Sequence, residues 1–240
     1  MKNFLFITFS LLLSFKSFAQ ENWISVYPNQ KVYFEDIYKT VYCLRIDSTF
    51  NENTVLYPFS DLHQIDFECY TINSGSWLSK YIMINEEGNT IFVNGKNQQI
   101  LIKNKAELNE VWEMFANESI KVKGKIISVS LKSVLGVSDS VKTISLSVFN
   151  NNDEPVNHTL NQFSIEISKH FGLVKTVNFY YFEHTTDSYE LVYYKKGEIE
   201  WGTPYNLSVP ENKKEQIFSI YPNPTTGELT IDNEQLTINN

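Results

Sequence analysis

The sequence predicts a mainly β fold: an antiparallel sheet, sandwich or partly open barrel with one amphipathic helix packed on it. Three observations carry that expectation. From Trp23 onward, apolar and polar residues alternate with period two in run after run. Turn-forming pairs separate the runs, as at Asn94-Gly95 and Lys196-Gly197. One segment only, about 105–117, changes to the helical period.

Ahead of the fold, residues 1–19 read as a signal peptide. Lys2 supplies the charged start, and the stretch from Phe4 to Phe15 supplies the apolar middle. Ser17-Phe18-Ala19 then sets small residues where signal peptidase needs them, so cleavage is expected between Ala19 and Gln20. Spanning a bilayer takes about 20 apolar residues, and this run is shorter. The Sec translocon and signal peptidase are the partners it implies, and the chain left after cleavage is expected to be soluble.

Residues 20–205 form the expected β-rich domain. Strands are predicted near 41–47, 79–85, 89–94, 98–103, 174–182 and 188–194. In Lys142-Thr143-Ile144-Ser145-Leu146-Ser147-Val148 the inward set is Ile144, Leu146 and Val148. Phe163 to Ser168 alternates in the same way. Ile127, Val129 and Leu131 repeat the pattern, as do Ile65, Phe67 and Cys69. One dry face and one wet face is how antiparallel sheets are written.

The helix is expected from a capping-box-like start, Asn104 with Glu107 three residues on. Leu108, Val111, Trp112 and Phe115 then fall at i, i+3, i+4 and i+7, a stripe that needs something apolar to cover. Trp112 is accordingly expected in the core.

Composition narrows the function classes. A hydrophobic share of 42% and an aromatic share of 15% suffice for a packed core. A formal net charge of −8 argues against nucleic acid as a partner, since phosphate binding depends on clustered Lys and Arg. Lys121, Lys123 and Lys125 read instead as the solvated side of a strand. Cys43 and Cys69 are either a disulfide, stabilising by about 3 kcal/mol in an oxidising compartment, or two buried thiols. Two cysteines alone do not make a structural zinc site.

Residues 206–217 lose all periodicity and read as a linker. Beyond them, Phe218-Ser219-Ile220-Tyr221-Pro222-Asn223-Pro224-Thr225-Thr226-Gly227-Glu228-Leu229-Thr230-Ile231 reads as strand, stiff turn and strand. This stretch resembles the opening of the type IX secretion sorting domain, and Tyr221, Pro222, Asn223, Pro224, Thr225 and Gly227 carry the match. The resemblance implies a small β-sandwich tag, recognition by the type IX secretion machinery, and release or surface attachment after the tag is removed. Residues 218–240 span about two strands of such a domain, so a truncated sorting domain is expected, with retention in the periplasm as the alternative outcome.

The body resembles uncharacterised cargo of that system in Asp139 to Ile144, Ile167 to Thr176, Ser76-Trp77 and Glu110-Val111-Trp112. Asp139-Ser140-Val141 and Asp47-Ser48-Thr49 resemble an acidic-hydroxyl-aliphatic acceptor for O-glycosylation, which makes Ser140 and Ser48 candidate sites.

No catalytic residue, cofactor or metal site is expected. The chain lacks a G-x-S-x-G elbow, an H-E-x-x-H pair, a phosphate loop and a dinucleotide fingerprint. The densest polar run, Asp61-Leu62-His63-Gln64-Ile65-Asp66-Phe67-Glu68, reads as a solvated strand edge. Glu183-His184 and Asp187 read as polar residues of a hairpin loop. Phe179-Tyr180-Tyr181-Phe182 and Tyr193-Tyr194 could line a sugar-binding face.

Three functions compete. One is an exported binding or structural module without catalysis, with a surface glycan as candidate ligand. The second is an extracellular hydrolase of polysaccharide or peptide, which requires a cleft with ionisable groups. The third is a periplasmic carrier, which requires an apolar hollow of about 300 Å³ or more.

Overall fold

Alternating stretches too short for helices pair with their chain neighbours, and the result is a meander of strands. A computed structural model describes residues 23–47, 55–61 and 76–204, with the backbone of 219–222 and 229–232. The chain divides into two units, Met1–Tyr205 and Asn206–Asn240.

The first unit holds β1 (Gln30–Asp36), β2 (Val41–Asp47), β3 (Val55–Asp61), β4 (Tyr81–Ile84), β5 (Thr90–Val93), β6 (Gln99–Ile102) and β7 (Val111–Ala116). It continues with β8 (Lys121–Val134), β9 (Val137–Phe149), β10 (Ser164–Ser168), β11 (Gly172–Val177), β12 (Ser188–Lys196) and β13 (Ile199–Gly202). These form one antiparallel sheet of 13 strands. Each strand from β1 to β12 pairs with the next except at the step from β6 to β7, and β12 returns to pair with β1. The sheet is thus a nearly closed barrel with one seam. Across that seam the indole Nε1 of Trp112 on β7 donates to the carbonyl oxygen of Leu101 on β6 at 2.9 Å. β11 covers only the first part of β12, from Val177↔Ser188 to Lys175↔Glu190, and β13 pairs farther along at Tyr193↔Gly202.

The connections show why the meander forms. Asp36, Asn85, Asn94 and Asn150 each open a loop of one design. The backbone N–H of the opening residue donates to the carbonyl four residues on, and its own carbonyl accepts from the N–H three residues on. Its side-chain oxygen accepts the N–H of Thr40, Asn89, Gln98 or Glu154, at 2.8–3.0 Å. The fourth residue, Lys39, Gly88, Asn97 or Asp153, takes a left-handed φ of 60–81°. Short Asx side chains both accept such bonds and tolerate the left-handed region. The hairpin expected at Asn94-Gly95 is therefore present, with its positive φ at Asn97. Gly95 serves another purpose: a Cβ there would lie 2.5 Å from the Tyr180 ring.

The aromatic residues go largely into the interior. Phe92, Phe115, Phe171, Phe179 and Phe182 are fully buried. Phe92 stacks on Phe179 at 4.4 Å, and Phe115 meets Phe182 edge-on at 5.5 Å. Ile144, Leu146 and Val148 are buried as expected. Asn104 is buried as well and ties three segments together, bonding Ser25, the carbonyl of Gly88 and the hydroxyl of Thr90.

Three expectations need correction. First, no α-helix occurs among the described residues, so the helix over 105–117 is replaced by a turn and β7. Glu110 does bond back to the N–H of Glu107 at 3.0 Å, as a capping residue would, but Asn109 then takes φ 69° and ends any helix. Leu108 and Val111 are exposed. Trp112 is in the core as expected, but as a strand residue beside Met114 and Phe115. A β-bulge between Glu113 and Phe115 turns both Met114 and Phe115 inward, which imitates helical spacing.

Second, Ile127, Val129 and Leu131 are exposed: Val122, Gly124 and Ile126 hold the buried positions of β8, and β7 pairs with β8 only as far as Lys125, so among the described residues no strand covers the later part on that side. Third, the strand expected over 174–182 ends at Val177, and a 3-10 turn follows at Phe182–His184.

In the second unit, β14 (Ser219–Pro222) pairs antiparallel with β15 (Leu229–Asp232), from Ser219↔Asp232 to Pro222↔Leu229. Tyr221 and Pro222 lie on β14. Ala19, Gln20, Ser48, Cys69, Asn223, Pro224, Thr225 and Gly227 lie outside the described residues, as do the linker 206–217 and the run from Leu62 to Glu68.

Candidate functional site

In a meander, alternate loops share an end of the barrel. The loops after β5, β7, β9 and β11 meet in this way and enclose a cleft of about 610 Å³. Lys96 and Gln98 come from the first loop, Asn117 to Ile120 from the second, His158 from the third, and Glu183 with His184 from the fourth.

Glu183 is the hub. Its side chain is only 10% exposed, yet it sits in a cleft wall. Lys96 Nζ and Asn117 Nδ2 donate to its two carboxylate oxygens, and His184 Nε2 stands 3.4 Å away. Two of the lining side chains are held by local structure. Asn117 accepts the N–H groups of Ser119 and Ile120 at 2.8 and 2.9 Å, which closes the β7–β8 turn. His158 accepts the Leu160 N–H through Nδ1 at 3.2 Å and so caps the 3-10 turn Thr159–Gln162. Phe182, the residue before Glu183, is fully buried and anchors the fourth loop.

The lining combines amide, imidazole, ammonium and carboxylate groups, with Ile120 as an apolar side chain. The Lys96 charge is met by Glu183, and Glu118 adds a second carboxylate to the lining, so the cleft is not suited to a strong anion. What the lining offers is hydrogen-bond donors and acceptors. Among the described residues, no cluster of three or more His, Cys, Asp or Glu side chains could hold a metal ion.

A second constellation lies toward the other end of the barrel. Asp139 is buried, and its Oδ1 stands 2.6 Å from His170 Nδ1. Its Oδ2 accepts the Ser168 hydroxyl and the His170 N–H, the latter at 2.9 Å. Serine, histidine and aspartate are together here, but Ser168 bonds the carboxylate and not the imidazole. A nucleophile needs its base on the hydroxyl, so this set ties β9 to the end of β10. Burial would raise the Asp139 pKa; the hydrogen bonds from Ser168 and His170 outweigh it and hold the carboxyl below its usual range. Ser140 is half-buried on a strand, opposite Leu131, and its carbonyl accepts the Lys169 N–H at 3.0 Å.

A smaller hollow of about 380 Å³ is lined by Trp23, Ala106, Leu108 and Val129 together with Lys105, Glu107 and Lys142. Lys142 donates to the carbonyls of Asn104 and Ala106 at 3.0 and 2.9 Å and lies 4.6 Å from the Trp23 ring centroid.

The remaining expected residues are placed as follows. Cys43 is half-buried on β2, opposite Tyr33. Of the aromatic runs, Phe179, Phe182, Tyr193 and Tyr194 are buried and Tyr181 is exposed. Burial pushes the Tyr194 hydroxyl up to about 12. Lys121 and Lys123 flank Asp153 at 3.2 and 3.4 Å. Glu183 and His184 carry the cleft, whereas Asp187 does not line it. Lys96, Gln98, Asn117 and His158 had no sequence signal, since four separate loops bring them together.

Comparison with protein-family models, with curated proteins and with solved structures found no match to this chain.

Proposed function

We propose that this chain is an exported protein, secreted or held at the cell surface, that works by binding and not by catalysis. Its ligand surface is the cleft around Glu183, and the class that suits it is a neutral polyhydroxylated molecule, a surface glycan. The observation that carries this reading is the Glu183 hub. A nearly buried carboxylate has both oxygens engaged by Lys96 and Asn117 and faces a wall of further donors and acceptors. Pre-organised hydrogen-bonding groups recognise hydroxyls, and a carboxylate occupied by two donors is poorly placed to act as a free base.

Export is supported by the cleavage sequence at Ala19-Gln20 and by Tyr221 to Gly227, which resemble the type IX sorting signal. The test is titration calorimetry of the purified protein against a panel of neutral and acidic bacterial polysaccharides. Binding to a neutral glycan, weakened at least tenfold by Glu183→Gln and by Asn117→Ala, is the expected result. Equal binding by the variants, or no binding at all, contradicts it. Shortening of the polysaccharide chains would replace it with the hydrolase reading.

A further inference from the structure

β8 is longer than its neighbour. It pairs with β7 from Lys121 to Lys125, and the last bonds on that side join Ile126 to Asn109 and Glu110 at 2.8 and 3.1 Å. From Ile127 to Val134 its only strand partner among the described residues is β9. Eight residues of strand edge therefore extend past the barrel wall. Such an edge presents unpaired N–H and C=O groups, and proteins usually guard it with charge, proline or a covering loop. Among the described residues neither a proline nor an outward charge guards it, and the 105–108 turn shares a hollow with Val129 without forming a strand pair with β8. Residues 127–134 contain no proline, and their one charge, Lys132, reaches away across β9 to Glu166 at 2.8 Å and Thr143 at 3.4 Å. Ile127, Val129 and Leu131 are instead exposed by 50%, 46% and 74%.

We infer that this edge pairs with the same edge of a second copy of the chain. An antiparallel ladder centred on Ser130 sets Val129 opposite the partner's Leu131 and Ser128 opposite the partner's Lys132. No like charges face each other, and an apolar pair forms on each side of the two-fold axis. That self-complementarity is what an isologous interface requires. It also argues against an unrelated strand, since the edge offers no charge pattern for choosing one. The β8–β9 turn lies at the end of the barrel opposite the cleft, so both clefts stay open in the pair. Two linked clefts bind a repeating ligand more tightly than one, by effective concentration.

The experiment is sedimentation velocity of the full purified protein over a range of concentrations. Val129→Lys and Leu131→Lys are compared with Tyr38→Lys, a control that places the same charge on an exposed turn. Concentration-dependent dimer is expected for the parent and the control, with dimerisation weakened at least tenfold in the β8 variants. In a second arm, Ser130→Cys is expected to crosslink copy to copy under mild oxidation, while Tyr38→Cys and the parent do not. A parent that stays monomeric throughout, or a dimer untouched by the β8 charges with no crosslink at residue 130, overturns the inference.

Discussion

Trp112 Nε1 donates to the carbonyl oxygen of Leu101 at 2.9 Å, and this bond bridges β7 and β6 at the one step where neighbouring strands do not pair. On its other side the ring lies against Gly124 of β8. A Cβ on Gly124 would fall 2.9 Å from the indole, so the glycine on β8 makes room for the tryptophan on β7.

Replacing Trp112 with Phe removes the donor and leaves a part-buried carbonyl without it. A loss of about 1–3 kcal/mol follows from that deletion alone. Hydrogen exchange should report it locally: amides of β6 and β7 lose protection in Trp112→Phe, while those of β9 and β10 keep theirs. Gly124→Ala should open the same seam from the other side. Uniform loss of protection over the whole barrel would show that the seam is no weaker than the rest.

Asp139 predicts an acid limit. Its carboxyl lies below the usual range in the folded chain because Ser168 and His170 bond to the ionised form, overcoming the effect of burial. A depressed carboxylate stabilises fully above its unfolded pKa of about 3.9 and loses that contribution as pH falls through the folded value. The parent should therefore lose stability below about pH 4 more steeply than Asp139→Asn. At neutral pH the variant should be weaker by roughly 2–3 kcal/mol, since charge-assisted bonds are lost. Urea unfolding at pH 3 and pH 7 measures both effects.

Four loops of one design allow a controlled comparison. Their left-handed residue is Gly88, Asn97 or Asp153 in three cases and Lys39 in the fourth, at φ 68°. A long side chain in that region costs about 1 kcal/mol relative to residues that tolerate it. Lys39→Asn should raise the melting temperature, with a gain of about 0.5–1 kcal/mol in urea. The ion pair it removes, to Glu35, is exposed and worth little. A loss of stability would mean that the turn depends on that lysine.

Gly172 should not accept a side chain. It sits at φ 75°, and a Cβ there would lie 2.5 Å from the carbonyl oxygen of Ser25. The Leu173 N–H donates to that same carbonyl at 2.7 Å, so the backbone cannot simply retreat. Gly172→Ala is expected to cost about 2 kcal/mol or more in thermal or urea unfolding. A neutral effect would show that the segment before β1 can shift freely.

The β class and most strands were legible because period-two alternation follows from the pleat itself. What escaped has particular causes. At Glu113/Phe115 a register shift turns two successive side chains inward, so Phe115 looks helical. Val129 alternates as a strand residue should, but β8 outruns β7 beyond Lys125, and no alternation encodes where a neighbouring strand stops. The cleft was lost with β7. Loops share an end of a meander by alternation, and reading 105–117 as a helix removes β7 from the count. Lys96 and Gln98 then cannot be placed beside Asn117 and His158. Glu183 and His184 could be noticed as loop residues, but the 10% exposure of the carboxylate depends on packing that no spacing encodes.

The most direct test of the account is fractionation of the cell that makes this protein, with an antibody raised against residues 21–205 and mass analysis of both chain ends. The account predicts a chain that begins at Gln20, found outside the outer membrane and trimmed within the linker 206–217. A chain that keeps residues 1–19 and stays in the cytoplasm would contradict the export reading. One that begins at Gln20 but remains in the periplasm with Tyr221 to Gly227 still attached would contradict the sorting role given to that tail.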